Sequence, residues 1–590
     1  MAEIEKTIRR RKAATQLSIK GQHPVLSHIY AGRDVKSATD LDYSLAGLLP
    51  YQDLLGMPAA TRLLTDAVMQ DKRILIVGDF DADGATSSAL MMRALRLLGA
   101  RQVDYLVPNR FTFGYGLTPE IVALASQRYP DLLITVDNGI SSLAGVEAAK
   151  QHGMQVIVTD HHLPGDALPA ADAIVNPNQP DDSFPCKSLA GVGVALYVMF
   201  ALRTALRERD WFTQKGMAEP NLSVLLDLVA LGTVADVVPL ERNNRILVAQ
   251  GLARIRQGKC CAGITALLKI AGRNQSDCIA ADFGFAVAPR LNAAGRLEDM
   301  SIGIECLLAD DPQHALALAQ QLDALNHERR AIEQDMRLQA FAALDRLQLD
   351  DAEQPLGVCL YDAGWHQGVI GLLASRVKER LHRPVIAFAP GDNGELKGSA
   401  RSIPGLHIRD ALDAVAAHNP GLITKFGGHA MAAGLSLPDS AYARFSAAFD
   451  AEVRRQIDAE ALQGVVHSDG ELTARELTLE FAETLRNAGP WGQGFPEPTF
   501  DGEFELVSRR IVGERHLKLM LRKPGEQACI DGIAFNTTDA DWPVSVKRLR
   551  LAYRLDVNAF QGMRTVQLMV EHIELACSDA SGAEHQPANA

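Results

Sequence analysis

The sequence predicts a multidomain α/β protein: a doubly wound parallel-sheet domain, a long connecting helix, a smaller α/β domain and a C-terminal OB-like β-barrel. Three observations lead there. Apolar strand-like runs recur between helix-compatible segments over residues 73–240, the pattern of parallel strands buried on both faces. After Pro312 no Gly or Pro occurs until beyond residue 348. From about 463 the apolar period shortens to two, which marks strands with one buried face. A chain of 590 residues is also too long for a single core.

Residues 1–72 alternate short apolar helices with turns near Pro24, Gly32, Pro50 and Pro58 and are expected to form a helical wrap. Strands are expected at 73–78, 103–108, 132–136, 155–159 and 173–175, with helices near 85–98, 118–128 and 142–152. Asp79, Asp81 and Asp83, in V-G-D-F-D-A-D-G, follow the first strand; Asp137, in V-D-N-G-I, follows the third; Asp160, His161 and His162 follow the fourth. All stand at carboxyl ends of strands, where open α/β sheets bind ligands. Asp236, in T-V-A-D-V-V-P-L, ends an apolar helix at 222–234. Carboxylates this close disfavour one another's ionisation, which a divalent cation relieves. The alternatives are helix caps, turn formers and a satisfied histidine. An oxygen-rich set with one imidazole suits Mg²⁺ or Mn²⁺, the nitrogen tilting it toward Mn²⁺.

The stretch 241–309 is expected to be helical and contains A-P-R-L-N-A-A-G-R-L-E at 288–298. Arg290, Asn292 and Arg296 are candidates for phosphate contact, against a turn with solvated arginines. Leu318, Leu322, Leu325, Ile332 and Met336 recur at helical spacing, so 311–350 is expected to be one amphipathic connector of roughly 50 Å. Residues 351–462 form a second α/β unit containing L-K-G-S-A-R-S at 396–402 and F-G-G-H-A-M-A-A-G at 426–434. Gly427 and Gly428 beside His429 permit close backbone approach, and Arg401 beside Ser399 can grip a phosphate with two donors. Plain turns are the alternative. In 463–575, Leu517, Leu519 and Leu521 alternate with Lys518 and Arg522, and Leu549, Leu551, Tyr553 and Leu555 alternate with Arg548, Arg550 and Arg554. A small barrel follows, with Arg510, Lys518, Arg522 and Arg550 as candidate DNA contacts; ordinary solvated cations are the alternative. Residues 576–590 are expected to be a disordered tail.

Composition narrows the class. With 47% hydrophobic and 22% charged residues the chain reads as globular, and no apolar run approaches the roughly 20 residues of a membrane span. Eight cysteines include no C-x-x-C pair, which reads as reduced thiols in a cytoplasmic protein. The net charge of −13 weighs against a nucleic-acid partner, yet residues 507–523 hold six Arg or Lys against one Glu. Distribution matters more than the sum.

In this order, D-F-D-A-D-G, V-D-N-G-I, D-H-H and A-D-V-V-P-L resemble the DHH phosphoesterase superfamily. N-A-A-G-R, G-S-A-R-S and F-G-G-H-A resemble its DHH-associated domain and lead-in. With the barrel added, residues 24–572 resemble the single-strand-specific exonuclease branch. Small phosphatases and pyrophosphatases of the superfamily carry His-x-x-x-Asp-x-Asp, where this chain has Val77; that lowers the pyrophosphatase reading and leaves direct ligation by Asp79 open. The resemblance implies a 5′→3′ exonuclease that releases 5′-mononucleotides from single-stranded DNA, in recombination and in mismatch and base-excision repair. Two divalent cations, Mn²⁺ or Mg²⁺, about 3.5–4 Å apart, would activate water and stabilise the leaving oxygen. Asp137 would bridge them, Asp160 would orient a histidine, and His162 would face the scissile phosphate. By architecture, a cleft between the two α/β domains would admit one strand. Arg110 would lie along it, Arg290, Ser399 and Arg401 would hold a terminal 5′-phosphate, His429 another phosphate, and Phe111, Phe113 and Tyr115 would stack on bases. Partners implied are single-stranded-DNA-binding protein and a helicase, the chain itself being a monomer. The alternatives are a DHH oligonucleotidase or cyclic-dinucleotide phosphodiesterase, and a non-catalytic single-strand-binding scaffold.

Overall fold

The computed structural model describes residues 6–12, 17–109, 113, 116–346, 355–513, 516–535, 537, 548–560 and 562–575. The chain divides into two compact units. One comprises Ala13–His327 with Leu485–Glu497; the other comprises Met1–Lys12, Glu328–Thr484 and Pro498–Ala590. Arg110, Phe111, Tyr115 and the tail 576–590 lie outside the described residues, as do 347–354, where the connector was expected to end.

The first strand, β1 (Thr7–Arg10), pairs in parallel with Val465–Ser468. Its side of the chain was expected to be a helical wrap. The strand forms because Arg10 reaches the buried Asp501, with Nε 2.8 Å from Oδ1, and the backbone N–H of Ile8 donates to Glu574 at 2.6 Å; neither partner is visible from local periodicity. Helices of the expected kind follow at Pro24–Ala31 and Met57–Met69.

The first unit is built on a five-stranded sheet of β2 (Ile74–Gly78), β3 (Val103–Leu106), β4 (Leu132–Val136), β5 (Gln155–Thr159) and β6 (Ala173–Val175). Its order is β3-β2-β4-β5-β6 and every pairing is parallel. β2 and β4 are buried along their whole length, which is why their sequences are unbroken Ile, Leu and Val with little polar alternation. The chain leaves β2 toward β3 on one side and returns to β4 on the other. That reversal opens a crevice at the carboxyl ends of β2 and β4. Helices Ala82–Leu97, Gly191–Glu208 and Leu226–Ala235 pack around it.

In the second unit β7 (Val358–Tyr361), β8 (Val385–Pro390), β9 (Glu395–Arg401), β10 (Lys425–Gly428) and β11 (Ala432–Pro438) form a mixed sheet of order β10-β11-β9-β8-β7. Phe388, Phe445 and Phe449 lie at the centre of its core. After β12 (Val465–Ser468), the strands β13 (Phe500–Val512), β14 (His516–Arg522), β15 (Cys529–Ala534), β16 (Arg548–Phe560) and β17 (Met563–Leu575) close a barrel of order β13-β14-β15-β17-β16. Leu517, Leu519 and Leu521 are buried inside it, as the period of two requires. The long helix is Pro312–Arg346, 35 residues.

Candidate functional site

β2 ends at Gly78, and the next turn carries Asp79 and Asp81 into the crevice. Asp81 is the N-cap of helix Ala82–Leu97: one carboxylate oxygen accepts from the backbone N–H of Asp83 at 2.9 Å and of Gly84 at 3.0 Å. Capping and ligation are therefore compatible, since the cap uses one oxygen of the two. Asp137 directly follows β4, and its backbone has φ 63°, a left-handed conformation that costs free energy in a non-glycine residue. Asp160 follows β5 and helix Leu226–Ala235 delivers Asp236. Val237 directly after it also has φ 62°, an outlier for a β-branched side chain.

These groups converge. Donor atoms of Asp79, Asp81 and Asp137 lie within 4.8 Å of one another, as do those of Asp83, His161 and Asp236, and those of Asp137, His161 and His162. His161 Nε2 stands 3.1 Å from Asp137 Oδ1 and 3.4 Å from Asp236 Oδ2. Both carboxylate oxygens are buried and accept no hydrogen bond, although buried polar atoms are nearly always satisfied. Burial first, and then the charges of Asp83 and Asp81, hold the carboxyls of Asp137 and Asp236 well above the usual range. Burial and the charge of Asp81 likewise push Asp83 up to about 7. A crowded, hard-oxygen set with one imidazole and two unsatisfied buried oxygens fits Mn²⁺ or Mg²⁺.

Asp83 differs from its neighbours. Its two oxygens accept from the buried N–H groups of Gly191 at 2.7 Å and Val192 at 3.0 Å, first-turn donors of helix Gly191–Glu208 that have no partner within the helix. Asp160 is likewise fully engaged: it accepts from Ile140 N–H at 2.9 Å, from His161 and His162 N–H, and from His162 Nδ1 at 2.7 Å. Burial alone would lower the His162 imidazole, but the hydrogen bond and charge of Asp160 outweigh it and raise it to about 9. Asp160 therefore orients His162.

The other expected residues fall differently. Arg290, on helix Ala288–Leu297, is 8% exposed and its guanidinium is engaged, with Nε 2.8 Å from Asp323 Oδ1 and an N–H donating to Ala286 O. It braces helix Pro312–Arg346, a partner that the local motif could not reveal. Asn292 accepts from the backbone N–H of Ala82 at 2.8 Å, so it secures the aspartate turn. Arg296, on the same helix, is half-buried. In the other unit, Ser399 and Arg401 share one face of β9, 3.1 Å apart through Arg401 Nη1; burial lowers the Arg401 guanidinium. The register places Gly434 opposite Ser399 and Gly427 opposite Gly434, a row without bulk beside Arg401, with Gly428 and the exposed His429 ending the strand.

On the barrel, three of the four candidate cations already have carboxylate partners: Lys518 with Asp531 at 2.9 Å, Arg522 with Glu505 at 2.8 Å, and Arg550 with Asp501 at 2.9 Å and Glu574 at 3.2 Å. Those acids come from neighbouring strands, so the single-strand alternation overstated the basic face. Arg510 stands directly opposite Lys518, an unfavourable like-charge pair. Both line a groove of about 360 Å³ with Ser508, Asn558 and Thr565.

Four glycines matter that sequence reasoning passed over. A Cβ on Gly191 would lie 2.6 Å from Asp137 Oδ1, one on Gly232 2.8 Å from Asp83 Oδ1, and one on Gly84 2.5 Å from Asp79 O; one on Gly295 would strike Phe80 O. Each lies inside or at the start of a helix, where glycine is otherwise unfavourable. That cost is the signal that could have exposed them.

Three family models match the chain: the DHH family, N-terminal domain, over residues 73–233; the DHHA1 domain over 354–455; and the RecJ OB domain over 468–572. The single-stranded-DNA-specific exonuclease RecJ of Dickeya dadantii (strain 3937) is 56% identical over 566 residues, covering 96% of this chain and 98% of the relative. Among solved structures, RecJ in complex with Mn²⁺ from Thermus thermophilus has a TM-score of 0.75 at 32% identity, covering 94% of this chain and 76% of that one. The same protein in complex with Mg²⁺ gives 0.71 at 30% identity, over 94% and 75%.

Proposed function

The chain belongs to the RecJ family of single-stranded-DNA-specific exonucleases, and we propose that Asp79, Asp81, Asp83, Asp137, His161 and Asp236 form its metal centre. It is a hydrolase of phosphodiester bonds in single-stranded DNA, with Mn²⁺ or Mg²⁺ as cofactors. The observation that carries the ligand assignment is the pair of buried, unsatisfied oxygens on Asp137 and Asp236, both facing His161. Asp137 belongs to two of the three converging groups, which supports it as the bridging ligand. Bound divalent cations supply a Lewis acid and an activated water for displacement at phosphorus.

The chain's own residues do the rest. Asp83 is anchored by two helix N–H groups and holds the ligand cluster in register. Asp160 fixes the ring of His162, which meets a phosphate oxygen through its other nitrogen. Ser399, Arg401, Gly427, Gly428 and His429 bind phosphate in their own unit. Attack proceeds from the 5′ end and releases 5′-mononucleotides. Within the cell the protein works in the cytoplasm as a monomer, beside a helicase and single-stranded-DNA-binding protein, in recombination and repair. Among the described residues no helix is long and apolar enough to cross a membrane.

The test is digestion of end-labelled single strand, duplex and dinucleotide in Mn²⁺, with products sized. Mononucleotides released from the 5′ end of single strand alone are expected. A preference for dinucleotide, or release from the 3′ end, overturns the reading.

A further inference from the structure

Asp236 is the C-cap of helix Leu226–Ala235, and the chain leaves it through an unfavourable turn. Val237 takes φ 62° although its side chain is 63% exposed, so packing of that side chain does not offset the strain. Strained backbone of this kind persists only where its surroundings over-determine it. Part of the hold comes from the following helix, Arg242–Arg256: Asn244 donates to Pro239 O at 2.9 Å and Arg245 Nη1 to Leu240 O at 2.8 Å. The rest comes from a segment far away in sequence.

Leu485–Glu497 packs within the unit of the metal centre, although the chain up to Thr484 and from Pro498 onward belongs to the other unit. Its tip is a tight turn in which Gly492 and Phe495 exchange N–H to O bonds of 2.9 and 3.1 Å. From that turn Gln493 O accepts the backbone N–H of Leu240 at 2.7 Å. The approach is close on both sides: a Cβ on Gly492 would lie 2.7 Å from Leu240 Cδ1, and one on Gly494 3.2 Å from Pro239 Cβ. Behind the tip the segment is anchored. Phe495 is 1% exposed and stacks on Trp491 with ring centroids 5.1 Å apart, Trp491 stacks on Tyr30 at 6.0 Å, and Arg33 Nε donates to Pro496 O at 2.7 Å. The guanidinium of Arg245 lies 4.3 Å over the Phe495 ring, so one arginine grips both the segment and the carbonyl of Leu240. Aromatic anchoring alone would need neither the glycines of the tip nor the bond to Leu240; those features shape the turn that follows Asp236.

We propose that Leu485–Glu497 is a strap that positions the metal ligand Asp236, with Gly492, Gly494 and Phe495 as positioning residues that act through Pro239, Leu240 and the left-handed Val237. With the strap loosened, Val237 relaxes toward ordinary backbone and carries Asp236 Oδ2 away from its place 3.4 Å from His161 Nε2. Metal affinity then depends on a stretch of chain that contributes no ligand. The inference rests on the reading of Asp236 as a ligand and adds to it what holds that ligand in place.

The experiment titrates the full-length, chelator-treated protein with Mn²⁺ and counts the free ion by electron paramagnetic resonance, at a temperature where melts show every variant folded. Phe495→Ala and Gly492→Ala are each expected to weaken Mn²⁺ binding by about 10–100-fold, the range for groups that orient metal ligands. Asparagine accepts a left-handed backbone more readily than valine. Val237→Asn is therefore expected to restore most of the affinity lost in Phe495→Ala, which a strap serving only to hold the fold together would not allow. Trp211→Phe removes a hydrogen bond to Leu98 O of 2.9 Å elsewhere in the same unit; it is expected to lower the melting temperature and leave Mn²⁺ affinity unchanged. Unchanged affinity in both strap variants, no recovery with Val237→Asn, or an equal loss in Trp211→Phe overturns the proposal. Asp236→Asn keeps the two readings apart. If it weakens Mn²⁺ binding while the strap variants do not, the strap alone fails; if it too leaves binding unchanged, the ligand assignment fails and the strap with it.

Discussion

Asp137 carries two costs at one position, a left-handed backbone at φ 63° and a carboxyl pressed by burial and by Asp83 and Asp81. Neither helps the protein fold; both are offset when a cation binds. Asp137→Asn removes one repelling charge at constant shape, so the metal-free variant is expected to melt at or above the wild type. Added Mn²⁺ should then raise the wild-type melting temperature and leave the variant nearly unmoved, because a ligand stabilises only what it binds. Thermal melts with chelator and with Mn²⁺ check both halves, and activity should fall in the variant. Asp160 acts by another route. With every oxygen committed to Ile140, His161 and His162, it sets a histidine ring, and Asp160→Ala is expected to cost about 10–100-fold in rate. Mn²⁺ affinity read by the same melts should drop far less than in Asp137→Asn.

At the scale of elements, the aspartate turn after β2 is held from outside by helix Ala288–Leu297. Asn292 accepts from Ala82 N–H at 2.8 Å, and the missing side chain of Gly295 leaves room for the carbonyl of Phe80. Gly295→Ala must displace that carbonyl and, with it, Asp79 and Asp81 on either side. The expected outcome is a folded protein with a small stability loss and a large activity loss, read by melting and by single-strand digestion. Such supports explain what was and was not legible in the sequence. The strands of the parallel sheet and the grouping of Asp79, Asp81, Asp83, Asp137 and His161 at their carboxyl ends follow from local apolar runs and the known geometry of such sheets. Partners distant in sequence are not legible that way: Arg290 looked like a phosphate contact because Asp323 lies 33 residues on, and β1 was invisible because its partner strand is β12. That strand has its own test. Burial would raise the Asp501 carboxyl, but hydrogen bonds from Arg10, Ser468 and Arg550 and the charge of Arg10 outweigh it and hold it at about 2. A depressed carboxyl stabilises the fold above its ordinary value of 3.8, and that contribution fades as pH falls toward 2. Asp501→Asn is expected to cost roughly 1–3 kcal/mol at pH 7, with the difference from wild type shrinking between about pH 4 and 2 in denaturant titrations.

For the whole molecule, a net charge of −13 and a polyanionic substrate coexist because the negative charge is locally committed. At the metal centre, cations offset it. On the barrel, Glu505, Asp501, Glu574 and Asp531 each pair with a neighbouring cation. This leaves few cations to release counterions from a bound strand, so the salt slope of binding should be modest for a nucleic-acid enzyme. It should also respond unequally to mutation. Arg510 faces Lys518 across the groove and forms no ion pair among the described residues, which is the arrangement expected of a cation awaiting phosphate. Arg550 is already spent on Asp501 and Glu574. With single strands each phosphate contact contributes about 0.7 to the slope of log affinity against log salt. Arg510→Ala is therefore expected to flatten that slope by about 0.7 with little change in melting temperature. Arg550→Ala should lower the melting temperature, by exposing buried Asp501 to the loss of a partner, and leave the slope where it was. Oligonucleotide titrations across a salt series, paired with melts of both variants, separate the two roles; equal slopes in both variants would remove Arg510 from the strand path.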